Sequence, residues 1–140
     1  MRLRPITTFA LLGALAPGCV QTPPATGEPG ASVARGAAIY ARECAACHGG
    51  TAEGAGTASL GLGLPAPDLS GLASRNDGQF PREFTRRFVL GLLEKEDPDA
   101  AMPSFGETGL HHLDPATPVD AARLARELDD LLDYLETVQR

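Results

Sequence analysis

Apolar positions in the chain recur with helical spacing in three places. Val33, Ala37, Tyr40, Cys44 and Cys47 follow at intervals of 4, 3, 4 and 3, which places them on one helix face. Ser32 stands where a cap would, so a first helix is predicted from about Val33. Phe84, Phe88 and Leu92 recur every four residues, flanked by Val89 and Leu93, and Pro81 suits a first helical turn. This predicts a second helix over Pro81 to Lys95. In the third place, Thr117-Pro118-Val119-Asp120 reads as a cap, a first-turn proline and an acidic third residue. Leu124, Leu128, Leu131, Leu135 and Val138 then run down one face, with Glu127, Asp129, Asp130, Asp133 and Glu136 on the others. Between Gly49 and Asn76 the chain is rich in glycine and has no period. No internal repeat is present. The pattern predicts an all-α fold with long loops.

The N-terminal region reads differently. Arg2 and Arg4 precede an apolar run from Ile6 to Ala16 that is too short to span a bilayer, so residues 1–18 are expected to be a signal peptide. Two cleavage readings compete. Ala14-Leu15-Ala16 satisfies a small-x-small rule but is followed by Pro17. Ala16-Pro17-Gly18-Cys19 resembles a bacterial lipobox, with alanine where leucine is usual. Lipidation of Cys19 is the favoured expectation, since it accounts for a third, otherwise unpaired cysteine. Residues 19–32 then read as a flexible linker, a tether of ~13 residues with a reach of about 20 Å. The folded domain is expected to occupy residues 33–140.

Composition narrows the class. The chain has 140 residues, with 12 basic against 18 acidic side chains for a net charge of −6. That leaves no electrostatic footprint for nucleic acid. Valine and isoleucine together number seven, too few for a β-branched sandwich or barrel. Aromatic residues also number seven, with no tryptophan. A small helical domain with so few large side chains needs something else in its core.

Cys44-Ala45-Ala46-Cys47-His48 supplies a candidate. Cys-x-x-Cys-His is a c-type haem attachment signature. Two thiols three residues apart on a helical turn can add to the two vinyl groups of one porphyrin, and the next histidine can offer its imidazole to iron. The other ring nitrogen then needs an acceptor, usually a backbone carbonyl. Three other readings fit the motif less well. A disulfide at this spacing in a helix has poor geometry. A thioredoxin-like pair would want a βαβ setting. A zinc site would want two further soft ligands.

With this motif the chain resembles class I c-type cytochromes, of the bacterial monohaem kind, over nearly all of residues 33–140. The resemblance implies a cytochrome c fold, three or more helices and long loops wrapped around one haem c bound through Cys44 and Cys47. It implies that Gly36 and Tyr40 pack on a C-terminal helix carrying Leu131 and Tyr134. Pro67-Asp68-Leu69-Ser70-Gly71 is similar to the family's Pro-x-Leu-x-Gly segment, which implies that the Pro67 carbonyl accepts from His48. Arg75 resembles the arginine that contacts a haem propionate. Ala101-Met102-Pro103-Ser104-Phe105-Gly106 resembles the Met-Pro-x-Phe-Gly loop that carries the sixth iron ligand. Met102 as a hydrophobic plug is the plain alternative, and His111 and His112 are the competing ligands. Leu69, Leu72, Phe88 and Phe105 are expected to line the pocket.

Iron closed by His48 and Met102 has no open position for oxygen or peroxide, so the resemblance implies a one-electron carrier of fairly high potential, not an enzyme. The expected partners are a respiratory complex, an oxidase or a periplasmic dehydrogenase, met on the periplasmic side of a bacterial membrane. The single lysine, Lys95, leaves no lysine ring of the mitochondrial kind. The acidic C-terminal helix reads either as a docking face for a basic partner or as a solvated face. Two alternatives stand beside this: an electron-transfer subunit of a larger complex, and a peroxidase or sensor module with a dissociable Met102.

Overall fold

The computed structural model describes residues 29–94, 101–110 and 118–140. These form five helices: α1 (Pro29–Glu43), α2 (Ala45–His48), α3 (Arg82–Val89), α4 (Phe105–Thr108) and α5 (Ala121–Thr137). No strand occurs among the described residues, and none of their helices is long and apolar enough to cross a membrane. Arg2, Arg4, the apolar run to Ala16, Cys19, Lys95, His111, His112 and Thr117 lie outside the described residues.

The two long helices, α1 and α5, pack against each other and form the main body of the domain. Their crossing is close because Gly36 has no side chain. A Cβ at Gly36 would overlap the Asp130 carbonyl oxygen, and would lie 2.6 Å from its carbon and 2.8 Å from Tyr134 Cβ. Around this point Tyr40, Leu128, Leu131, Leu132 and Leu135 are buried. The Tyr40 and Tyr134 rings lie tilted with centroids 5.3 Å apart. Bidentate bonds of 2.7 Å from Arg35 to Asp130 close the solvent side of the crossing.

The helix ends differ from the sequence expectation in four ways. First, α1 starts at Pro29, so Ser32 lies within its first turn and is not its cap. Second, the face from Val33 to Cys47 is divided, because a turn at Cys44 separates α1 from α2.

Third, the second expected helix stops early. α3 ends at Val89, where Gly91 adopts a left-handed φ of 74°. Gly91 N donates to Phe88 O (3.0 Å) and Leu92 N to Arg87 O (2.9 Å), the paired bonds of a Schellman closure. Its buried residues are Thr85 and Val89, while Phe84 and Leu92 are exposed. The arginine side of α3 faces α5: Arg82 reaches Asp133 (2.7 Å) and Glu136 (3.4 Å), and Arg86 pairs with Asp129. The exposed Phe84 ring stacks on the half-buried Phe88, centroids 6.0 Å apart.

Fourth, α5 is capped by Asp120, so Pro118 lies ahead of the helix and not in its first turn. Asp120 Oδ1 accepts from Ala122 N (2.9 Å) and Arg123 N (3.0 Å). These two backbone donors would otherwise be orphaned at the helix start.

Two outcomes follow from this architecture. Gly36→Ala forces α1 and α5 apart, and overpacking of this kind costs up to about 3 kcal/mol. A thermal melt should then fall by about 15 °C; an unchanged melting temperature would mean that the crossing relaxes freely. The second concerns acid. The Asp133 carboxyl is held below the usual carboxylate range, first by the Ser32 hydroxyl and then by Arg82. Asp120 is held low by the Arg123 and Ala122 amides. A depressed folded-state pKa contributes stability above the unfolded value of about 3.9 and loses it as pH falls through the folded value. The melting temperature should therefore hold steady down to about pH 5 and drop below about pH 4. Asp133→Asn should flatten part of that drop.

Candidate functional site

The site is built on the short helix α2. Backbone bonds carry the chain through the turn at Cys44: Cys44 N donates to Tyr40 O (2.9 Å), His48 N to Cys44 O (2.9 Å) and Gly49 N to Ala45 O (2.9 Å). The Tyr40 hydroxyl donates to Gly49 O (2.6 Å), so the buried ring at the helix crossing also anchors the end of α2.

Both thiols are free and half-buried. Burial, then the neighbouring Glu43, pushes the Cys44 thiol up to about 12. It is therefore protonated at neutral pH, whereas a thiol–disulfide redox pair needs a depressed thiol pKa. No group of three or more His, Cys, Asp or Glu side chains suited to a metal occurs among the described residues.

His48 is buried, with Nδ1 3.0 Å from the Pro67 carbonyl oxygen. A carbonyl can only accept, so the proton belongs on Nδ1 and the lone pair on Nε2. The intervening loop brings Pro67 to this place with backbone bonds. Gly54 N donates to His48 O (2.8 Å), Gly56 N to Cys47 O (2.7 Å), Ala58 N to Ala46 O (3.0 Å) and Ala55 N to Ala66 O (2.9 Å). Ala52 is fully buried at a φ of 63°, and its carbonyl accepts from Leu69 N (2.8 Å) and Ser70 N (3.1 Å).

Two glycines make this possible. A Cβ on Gly56 would meet the Ala46 oxygen at 2.6 Å and Cys47 at 2.7 Å. On Gly54, at φ 84°, it would meet Ala66 O and Asp68 N at 2.8 Å and Pro67 C at 2.9 Å. The aperiodic, glycine-rich run is thus a clamp between the motif and Pro67. Its glycine content was the one sequence signal for it.

Arg75 donates from Nη2 to the Asp68 carbonyl (2.5 Å), and its guanidinium lies 3.9 Å from the Asp68 carboxylate. Its side chain is more than half exposed. Asp68 Oδ1 accepts from Ser70 N (2.8 Å) and Ser70 Oγ (2.6 Å), bonds that hold this carboxyl below the usual range. The structure thus brings Cys44, Cys47, His48 and Pro67 together and joins Arg75 to the Pro67 turn through Asp68.

Met102 is half-buried and packs, with Cys44, Ala45 and Leu69, against the main apolar cluster. Phe105 is buried at the start of α4, and Leu72 and Phe88 are half-buried. The Met102 loop is seated by Gly106, whose Cβ would lie 2.5 Å from Leu90 O.

Against known protein families, residues 33–139 match the model described as Cytochrome c. The chain belongs to the cytochrome c family. Neither the curated proteins nor the solved structures searched gave a match. Membership in the cytochrome c family implies a covalent haem c and haem-based electron transfer. Cys44 and Cys47 stand at the attachment spacing, and the helical, strand-free fold of the described residues agrees.

The donor set fits that group. Two unpaired thiols lie on either side of one helical turn, a buried imidazole has its second nitrogen already committed, and a thioether packs into apolar surroundings. Gly54→Ala should press the Pro67 turn away from His48 and strain a left-handed backbone position, at a cost of about 1–3 kcal/mol. Chemical denaturation checks it; a variant as stable as the parent would show that the clamp yields without loss.

Proposed function

We propose that this cytochrome is a dedicated one-electron carrier with His48 and Met102 as its axial ligands. The observation that carries the reading is the buried His48 imidazole, its Nδ1 committed to Pro67 O one residue past the second of two free thiols. When bound, a haem supplies an iron that alternates between two charge states. The chain's part is to hold and tune it. Thioether bonds from Cys44 and Cys47 Sγ keep the group in place, and His48 offers Nε2 because Nδ1 is occupied. Met102 lies in a loop whose following proline biases it to extended backbone.

A thioether donor favours Fe(II) more than a second imidazole does, and apolar surroundings disfavour the extra positive charge of Fe(III). Both push the potential up. With His48 and Met102 both holding the iron, external ligands would have no ready entry, and electron carriage would be favoured over peroxidase or gas-sensing chemistry.

The same reading extends to location. A positive N-terminus, a short apolar run and Cys19 in a lipobox-like setting support export to the periplasmic side of a bacterial membrane, with a lipid anchor at Cys19. The partners proposed are a membrane-bound respiratory complex, an oxidase or a periplasmic dehydrogenase. The acidic face of α5 supports no separate basic partner, because Asp129, Asp130, Asp133 and Glu136 already pair with Arg86, Arg35 and Arg82.

Optical spectra of the oxidised and reduced protein, purified from a host that matures c-type cytochromes, test the site. The expected result is covalent haem, low spin, with a methionine–iron charge-transfer band. Met102→Ala should lower the reduction potential and admit carbon monoxide to the reduced form. Unchanged spectra and potential would remove Met102 from the iron and favour another donor. Mass spectrometry of the mature N-terminus tests the anchor.

A further inference from the structure

The two residues that close the described chain past α5, Gln139 and Arg140, make a set of contacts that the haem-holding residues do not explain. Gln139 spans the turn that follows Pro67. Its Nε2 donates to Leu69 O (3.0 Å) and to Leu135 O (2.7 Å), while its Oε1 accepts from Ala73 N (2.8 Å). The orientation of the amide is determined by its partners: a backbone N–H must face the oxygen, and two carbonyls must face the nitrogen.

Arg140 completes the strap. Its backbone N donates to Ser70 O (2.9 Å) and its Nε to Ser70 Oγ (2.8 Å). The guanidinium also reaches Asp68 (3.4 Å) and Glu53 (3.3 Å), which flank the two sides of the clamp. The segment from Asp68 to Ala73 has no helix or strand of its own. It is also tied to the Ala52 carbonyl and the Arg75 guanidinium and, through Gly71 O and Ala73 O, to the residues that follow it. The carbonyl that orients His48 therefore lies at the start of a turn whose far side is bonded to the end of α5.

We propose that Gln139, assisted by Arg140, is a positioning residue for His48: it holds the Pro67 carbonyl against Nδ1 and so sets how strongly the imidazole donates to iron. The proposal rests on the reading of His48 as an iron ligand. A firm Nδ1–H···O bond gives the ring partial imidazolate character, which favours Fe(III). Loosening the turn weakens that bond, reduces donation and raises the potential.

The test uses the mature holoprotein and the variant Gln139→Leu, which removes both the donor to Leu69 O and the acceptor for Ala73 N. The exchange of the His48 Nδ1 proton, followed by NMR in the reduced state, should become about tenfold faster. The reduction potential should rise in the same sample. Gln139→Glu keeps an oxygen for Ala73 N but sets an acceptor-only carboxylate against the Leu69 and Leu135 carbonyls, so it should loosen the turn and speed the exchange as well. It also carries the test if the leucine variant does not accumulate.

Asp120→Ala, at the opposite end of the same helix, is the control: it should lower the melting temperature with exchange and potential unchanged. Exchange and potential in the Gln139 variants equal to wild type, with only a lower melting temperature, would overturn the proposal and leave Gln139 a structural tie. A wild-type protein without covalent haem would instead overturn the reading of the site itself, and the Gln139 proposal with it.

Discussion

The contact on which the rest depends is the crossing of α1 and α5 at Gly36, where a backbone carbonyl takes the room a side chain would need. Close approach there lets Tyr40 reach across to Tyr134 and, through its hydroxyl, to Gly49. The end of α2, just past His48, is thereby tied to the C-terminal helix. Dispersion over the buried leucines of α5 makes the crossing favourable, and the Arg35–Asp130 pair limits its sliding. A domain with so few aromatic side chains has little else of comparable size to hold two helices in register.

Beyond the crossing, regular structure is scarce and order comes from individually directed bonds. The run from Gly49 to Ala73 satisfies its polar backbone groups against the motif and against itself. Buried backbone groups must be paired, and here the pairing does positional work: each bond fixes Pro67 more firmly relative to His48. Glycines at 54 and 56 admit backbone where a Cβ would collide. The structure thus uses main-chain contact at the point where accuracy matters and leaves leucines 60, 62 and 64 exposed farther out along the loop.

Much of the site could be read in the sequence because it is local. Cys44, Cys47 and His48 are close in the chain, so their chemistry follows from spacing alone. The buried face of α5 is equally local, since Leu124, Leu128, Leu131 and Leu135 repeat at helical intervals; Leu132 joins them because the helix is gripped on more than one side. The face of α3 is less local. Phe84 and Phe88 have helical spacing, yet Phe84 is exposed and Phe88 half-buried, while Arg82 and Arg86 meet the carboxylates of α5. The stop at Gly91 had a sequence sign, a glycine where a helix can close, that the apolar repeat outweighed.

Local order therefore determined the all-α class, the attachment motif and the polar character of the exposed α5 face, since each depends on residues within a few turns of one another. Tertiary structure alone decided that an acidic helix face would be bridged by arginines from α1 and α3, and that a glycine-rich stretch would become a clamp. It also decided that Gln139 and Arg140 would bond to a turn some seventy residues earlier in the chain. Such contacts leave no periodic trace. They join groups whose distance is set only after the helices have packed, and a hydrogen bond has neither the reach nor the repetition to announce itself in the order of residues.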